Sequence, residues 1–302
     1  MPQSKIAPAS QPQWREALKL IFARLEPEQQ RGQVDSMVSA ARGEPASLAG
    51  LFGAWRRARL VGAALGRVQA GRLASVWPPG LVPGESPATA DKLLAALCDW
   101  LASQGVRIAQ SLLGDEAAEQ RDLFERHGFR HLAELLYLVS DIQSLSSDLP
   151  SPRLRFVQYR PKLADRLAAV VEQTYQGTLD CPAISGVQAT EDVLASYRAA
   201  GVFRPQWWLI AVHNRRDVGC LLLADHPDKG IVELVYMGLI PDVRGRGWGL
   251  EIVRHAQQIA RCAGRRLLLA AVDAANEPAL RVYAQAGFGV WDSRSAFVRV
   301  FP

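Results

Sequence analysis

Between Val243 and Val253 the chain reads VRGRGWGLEIV, with glycines at 245, 247 and 249 interleaved with Arg246 and Trp248, and Arg244 in front. An apolar pattern of helical period follows at once. The chemistry this spacing offers is the binding of an anion. The first turn of a helix leaves backbone N–H groups without partners, and the helix dipole adds positive potential there. Glycine allows unusual backbone angles and removes the Cβ that would hold a ligand away. Arg244 and Arg246 add charge suited to phosphate oxygens, so a pyrophosphate is the expected tenant. Two other phosphate loops do not fit. The dinucleotide fingerprint Gly-x-Gly-x-x-Gly follows the first strand of a parallel unit, and the P-loop ends in Lys followed by Ser or Thr. Here the spacing is Gly-x-Gly-x-Gly, after the fourth strand of its half. On local sequence alone a glycine-rich turn without a ligand stays open.

The elements that must position these residues read as mixed α/β. Strand patterns occupy 153–159, then segments starting at Gln206, Asp217 and Ile231, then 266–272; helical patterns occupy about 164–173, 191–200, from the glycine stretch to about 263, and 277–285. A final pair of strands is expected near 288–291 and 296–301. The expected fold is a mixed, mostly antiparallel sheet flanked by helices.

The same plan occurs twice. LVGAALG at 60–66 matches DVGCLLL at 217–223, and LFERHGF at 123–129 matches VYAQAGF at 282–288; the offsets, 157 and 159 residues, agree. The Ser/Pro-bearing stretch from Ser140 to Pro152 reads as a linker, giving domains at 1–145 and 153–302. Where the second half has its glycines and arginines, the first has PPGLVPGESPATA, with Glu85, no arginine and dispersed prolines. The first half is a degenerate copy.

Arg244-x-x-Gly247-x-Gly249 and the later segment NEPALRVYAQAGF, Asn276 to Phe288, together resemble the Gcn5-related N-acetyltransferase (GNAT) family. The resemblance covers Leu154 to Phe301 and, through the repeat, Trp14 to Val139 in outline, so the chain resembles two tandem GNAT-like domains. It implies an acetyl-CoA-dependent transfer of an acetyl group to an amine. Carried over by motif, backbone groups of Met237, Gly238 and Leu239 would meet the pantetheine arm and the thioester carbonyl. Arg244, Gly245, Arg246, Gly247, Trp248 and Gly249 would hold the pyrophosphate. A bulge is expected at Met237-Gly238. Tyr283 matches the family tyrosine able to protonate the leaving thiolate, or else packs the helix–sheet interface. Asn276 would touch the pantetheine, cap its helix, or both.

Glu233, in the apolar strand VELVYMGL, is the candidate base. Alternation puts it on the face of Val235 and Met237, where partial desolvation would raise its proton affinity; a half-exposed strand glutamate is the other reading. In TYQGTLDCP, Thr174 to Pro182, Asp180 could pair with a cationic amine and Cys181 could carry an acyl group, but a turn with a local Asp–backbone bond is the preferred account. Of Trp207 and Trp208, one is expected in the core and the other on a pocket wall.

Composition sets the bounds. With 302 residues, 49% apolar and 22% charged, the chain is expected to fold as two domains rather than remain disordered. The four cysteines, at 98, 181, 220 and 262, lack the spacing of a disulfide framework or zinc cluster. The histidines show no ligand spacing, so no metal is expected. No apolar run has the length of a membrane span and no signal-peptide core is present, so a cytoplasmic protein is expected. A net charge of +5 without a basic run disfavours a nucleic-acid partner. The partner expected is a small-molecule or protein amine, and the alternative is an acetyl-CoA-binding regulatory or scaffold protein without turnover.

Overall fold

Residues 4–114, 118–144 and 153–302 are described by a computed structural model. Two compact units emerge, Met1–His131 with Ala296–Pro302, and Leu132–Ser295. The first contains β1 (Lys5–Pro8), α1 (Trp14–Ile21), α2 (Pro27–Gly43), β2 (Leu51–Arg56), β3 (Arg59–Gln69), β4 (Leu73–Leu81), α3 (Pro87–Ser103), β5 (Ile108–Leu113) and α4 (Ala118–Arg126). Its strands lie in the order β1-β2-β3-β4-β5, antiparallel except for the parallel pair β4–β5.

The second unit takes most of β6 (Arg130–Asp141), followed by β7 (Arg155–Gln158), α5 (Ala164–Tyr175), α6 (Thr190–Arg198), β8 (Val202–His213) and β9 (Arg216–His226). The chain continues through β10 (Ile231–Leu239), α7 (Trp248–Cys262), β11 (Leu267–Asp273), α8 (Glu277–Gln285) and β12 (Gly289–Val300). The order β6-β11-β10-β9-β8-β7 is again antiparallel except for one parallel pair, β10–β11. Helices cover both faces of this sheet. On one, Ile252, Val253, Ala256 and Ala260 of α7 lie at helical spacing against Val232, Leu234 and Leu268; burying an Ile or Val side chain contributes roughly 1.5–3 kcal/mol. On the other, Leu167, Val170 and Val171 of α5 pack on Trp208, Ile210, Cys220 and Leu222.

The repeat is written into backbone detail. Both units turn a two-residue hairpin with both residues at positive φ, Arg57-Ala58 between β2 and β3 and Asn214-Arg215 between β8 and β9. This is the turn whose twist matches that of the strands it joins. Register shifts follow Ala54 and Ala211. The helices α4 and α8 end alike, at Gly128 and Gly287 with φ near 80°. There the amides of Phe129 and Phe288 reach back to the carbonyls of Phe124 and Tyr283, both at 3.0 Å, closing the last turn around a left-handed glycine.

The expected halves, 1–145 and 153–302, differ from these units by two strands. Leu132–Asp141 of β6 pairs with β11 in the second unit, while Ala296–Pro302 belongs to the first. The stretch read as a linker begins with ordered chain, since Ser140 and Asp141 close β6 and Ile142–Ser144 form a 3-10 turn; its remainder, 145–152, lies outside the described residues. The expected final pair of strands is one continuous strand, β12. Among the described residues no helix is long and apolar enough to cross a membrane.

Candidate active site

The parallel pair β10–β11 lasts four residue pairs, from Ile231↔Leu267 to Leu234↔Ala270. Beyond it β10 continues only against β9, and β11 only against β6 as far as Asp273↔Leu135. The divergence coincides with a bulge at Val235: Leu234 faces Leu223, and the next partner, Leu222, faces Tyr236. Between Tyr236–Leu239 and Ala271–Asp273 the two strands therefore part, leaving a slot lined by backbone that no strand pairs, with the Leu239 carbonyl taken by Arg244 and the Asp273 amide by Asp180. The bulge lies ahead of the expected Met237-Gly238, and it resets the alternation. Met237 and Leu239 join Val232 and Leu234 in the core under α7, whereas Tyr236 joins the core under α5. Glu233 and Met237 thus lie on opposite faces, contrary to expectation. Gly238 is pressed against α5: a Cβ there would sit 2.6 Å from Thr174 Cβ, so only glycine permits this approach.

The slot opens onto the glycine stretch. Pro241–Val243 form a 3-10 turn, Gly245 and Gly247 take φ of 77° and 76°, and α7 begins at Trp248 with no side chain capping it. Left-handed angles at these two positions suit glycine. No side chain caps the first amides of α7, a helix start of the kind that suits an anion. Trp248 is buried, its ring 4.6 Å from that of His213 and 5.6 Å from the Arg246 guanidinium. Gly249 packs on Val282 and Met237. Glu251, also in the first turn, accepts the amide of Leu154 at 2.6 Å and pairs with Arg153.

Arg244 does something other than expected. Its guanidinium donates to the carbonyls of Leu239 (3.1 Å), Gly177 (2.8 Å), Thr174 (2.9 Å) and Gln176 (2.9 Å). A planar fork saturated by four carbonyls has little left for a phosphate. Arg244 instead ties the unsatisfied carbonyls at the end of α5 to β10. Arg246 donates one bond, to the Asp242 carbonyl at 3.2 Å, and is the arginine of the motif that stays near the helix start.

On the other side of the slot stands Tyr283, 5% exposed, its ring edge-on to Phe288 at 5.2 Å. Its hydroxyl makes no hydrogen bond among the described residues. Burial first, and then the charge of Asp180, holds its pKa above the ordinary value, so it stays protonated at neutral pH. Asn276 caps α8, its Oδ1 accepting the Ala279 amide at 3.3 Å. Glu233 bonds His226 Nε2 at 2.9 Å with 41% of its side chain exposed, a half-exposed position on β10.

The Thr174–Pro182 segment shows both a local turn and a long-range tie. The Asp180 amide donates to Thr178 Oγ1 (3.1 Å), but its carboxylate crosses to β11, Oδ1 accepting the Asp273 amide at 3.1 Å. Asp273 in turn accepts the amides of Cys181 (3.2 Å) and Ala275 (2.9 Å). Burial, assisted by Asp180 and Asp273, pushes the Cys181 thiol up to about 12. A raised thiol disfavours the thiolate, the nucleophilic form. No sequence signal pointed to the Asp180–Asp273 tie, because its two ends are 93 residues apart. Trp208 is fully buried, while Trp207 borders a groove of about 590 Å³ with Phe156 and His255.

At the corresponding positions the first unit carries different residues. At the start of α3 the Glu85 carboxylate accepts from Thr89 Oγ1 (2.7 Å) and pairs with Arg56 (2.8 Å). The Thr89 hydroxyl, then the Ser86 amide and Arg56, hold its carboxyl below the ordinary range. An internal anion thus sits where the second unit leaves amides free, and Pro87 supplies no N–H. Phe124, edge-on to Phe129 at 4.8 Å, stands in the place of Tyr283.

Residues 172–288 match the family model described as the acetyltransferase (GNAT) family. A mycothiol acetyltransferase of Pseudarthrobacter chlorophenolicus is 29% identical over 218 residues, covering 67% of this chain and 63% of the relative, so the chain matches less than two thirds of that protein's length. A GCN5-related N-acetyltransferase from Sphaerobacter thermophilus shares the fold at TM-score 0.64, 17% identity, 98% of this chain and 95% of its own. A tandem GNAT protein from the clavulanic acid biosynthesis pathway does so at TM-score 0.54 and 14% identity, covering 99% of both.

Proposed function

We propose, on the premise that residues 172–288 belong to the acetyltransferase (GNAT) family, that this chain transfers an acetyl group from acetyl-CoA to an amine. The observation that carries the reading is the divergence of β10 from β11 after Leu234↔Ala270, in line with an uncapped helix start behind Gly247. Backbone groups of Met237, Gly238 and Leu239 are suited to the amides of an extended pantetheine arm and to the oxyanion of a tetrahedral intermediate. The free amides of α7, with Arg246, are suited to the diphosphate.

In this reading the amine attacks the thioester carbon, the C–N bond forms, and the C–S bond breaks. Tyr283 gives its proton to the departing sulfur, and its raised pKa keeps that proton in place until it is needed. Glu233, joined to His226, draws the surplus proton from the amine through water and passes it to solvent, to which its carboxylate is open, and solvent returns to Tyr283 the proton it gave up. Asn276 holds the start of α8, and so the ring of Tyr283, in place. The first unit, with Glu85 at its helix start and Phe124 in place of the phenol, takes no acetyl-CoA. The test is calorimetry with acetyl-CoA, then release of free thiol against a panel of amines. One bound acetyl-CoA per chain and thiol release with at least one amine are expected; binding without release from any amine favours the regulatory alternative.

A further inference from the structure

The second unit carries a groove that acetyl transfer leaves unused. Its volume is about 590 Å³, within the range of small-molecule pockets. Phe156 of β7 with Trp207 and Leu209 of β8 line it from the sheet, His255 and Ile259 of α7 from the helix. These helix residues lie about 10 to 20 Å down α7 from Trp248, at 1.5 Å per residue, so the groove is separate from the glycine turn. The lining is aromatic and uncharged. The Phe156 and His255 rings are stacked, with centroids 3.9 Å apart and planes within 1° of parallel. Burial lowers the His255 pKa below the ordinary imidazole value, so this ring is neutral at pH 7. Exposed Gln158, Gln206 and Gln258 add amides at the rim, and no Asp, Glu, Lys or Arg is among the residues that line the groove. A charged ligand would lose water there without gaining a counter-charge.

The first unit shows what such a groove is shaped to hold. The offset of 157 residues that sets Gly62 on Gly219 places Gly50 at Trp207 and Phe52 at Leu209. The helices follow the offset of 159, which sets Gly105 on Gly264, both left-handed, and places Trp100 at Ile259. In the first unit the helix therefore supplies an indole. The Trp100 ring lies so close over Gly50 that an added Cβ would clash with it, and it meets Phe52 edge-on at 6.2 Å. In the second unit the indole stands on the strand instead, as half-buried Trp207, and the helix offers only Ile259. A flat bicyclic ring is thus the internal occupant in one copy, and the corresponding space is open in the other.

We propose that this groove is a second ligand site, taking a neutral, planar aromatic small molecule of indole size against Trp207, Leu209 and Ile259. It requires nothing of the slot or of acetyl-CoA. Aromatic faces and edges supply the contacts, and the three glutamine amides are suited to a polar ring substituent.

The probe is indole, titrated into the full chain by calorimetry. One saturable site with a Kd below about 1 mM is expected, as a ligand of this size allows, and saturating coenzyme A should leave it unchanged. Tryptamine and indole-3-acetate put a positive and a negative charge on the same ring, and each should bind at least about tenfold more weakly. Ile259→Trp rebuilds the arrangement of the first unit and should abolish indole binding while the melting temperature is kept. Should that variant not fold, Trp207→Ala, which removes one wall at a half-buried position, should weaken binding by at least about tenfold. No saturable binding, displacement of indole by coenzyme A, equal affinity for the charged probes, or full binding by either folded variant overturns the proposal. A chain that sediments as a dimer, binds no indole and becomes a monomer on Ile259→Trp gives the groove to a second copy, and overturns it equally.

Discussion

Arg244 Nη2 lies 2.9 Å from the carbonyl oxygen of Thr174, near the last turn of α5, and its other nitrogens reach Gly177 and Leu239. The motif arginine acts here as a clamp on the loop that carries Asp180. Arg244→Lys should therefore lower stability by about 2 kcal/mol, because one ammonium cannot span four carbonyls. The melting temperature should fall by roughly 5 °C, with acetyl-CoA affinity changed less than about threefold. Unchanged melting with lost affinity would mean that Arg244 touches the ligand.

Gly247 ends the turn at φ 76° and begins α7. Gly247→Ala should cost roughly 1–2 kcal/mol through the left-handed backbone alone. Gly247→Glu should in addition abolish acetyl-CoA binding, by placing a carboxylate on the helix start. Unaltered affinity in a folded Gly247→Glu protein would falsify the site assignment.

Tyr283→Phe is a substitution the chain has already made, at Phe124 in the first unit, with the same edge-on packing against a phenylalanine. Since the hydroxyl makes no hydrogen bond among the described residues, the variant should melt within about 1 °C of the parent. Turnover should fall by about 10²-fold, as loss of a general acid implies, with acetyl-CoA affinity retained. Equal turnover would take the phenol out of the mechanism.

Asn214 and Arg215 form a hairpin turn with φ of 48° and 64°. A non-glycine residue pays for the second of these angles, and Asn-Gly is the favoured pair for such a turn. Arg215→Gly should raise stability by about 1 kcal/mol, read as a higher denaturant midpoint with an unchanged slope.

Asp225 is 1% exposed on its side chain and pairs with Arg204 (3.1 Å) and Arg265 (2.8 Å). Hydrogen bonds from Arg265, and then Arg204, outweigh its burial and lower its pKa. A carboxylate depressed in the folded state adds stability above its unfolded pKa of about 3.9 and loses it as pH falls toward the folded value. Asp225→Asn should thus cost about 2 kcal/mol at pH 7, with the gap to wild type narrowing below about pH 4. A gap independent of pH would show that shape, not charge, is at work.

How much of this was legible in the sequence follows from the range of the interactions. The glycine turn, the strands leading to it and the repeat are local patterns, and so are the start of α7 behind Gly247 and the cap of α8 by Asn276. The Val235 bulge was misplaced because an apolar run such as VELVYMGL gives no residue-level mark of where pairing slips, and the face assigned to Glu233 was lost with it. Arg244 and Asp180 were read through their neighbours in the chain, but besides near bonds to Leu239 and Thr178 they reach partners 67 to 93 residues away. Spacing can name a charged group; it does not say which carbonyl or amide uses it first.

The strand that joins the wrong half also governs timing. The first unit contains Met1–His131 but is completed by Ala296–Pro302, so its last edge is synthesised about 170 residues after the rest. At translation rates of roughly 5–20 residues per second, that edge stays open for about ten to thirty seconds. A nascent chain halted between these points holds a first unit without its last segment.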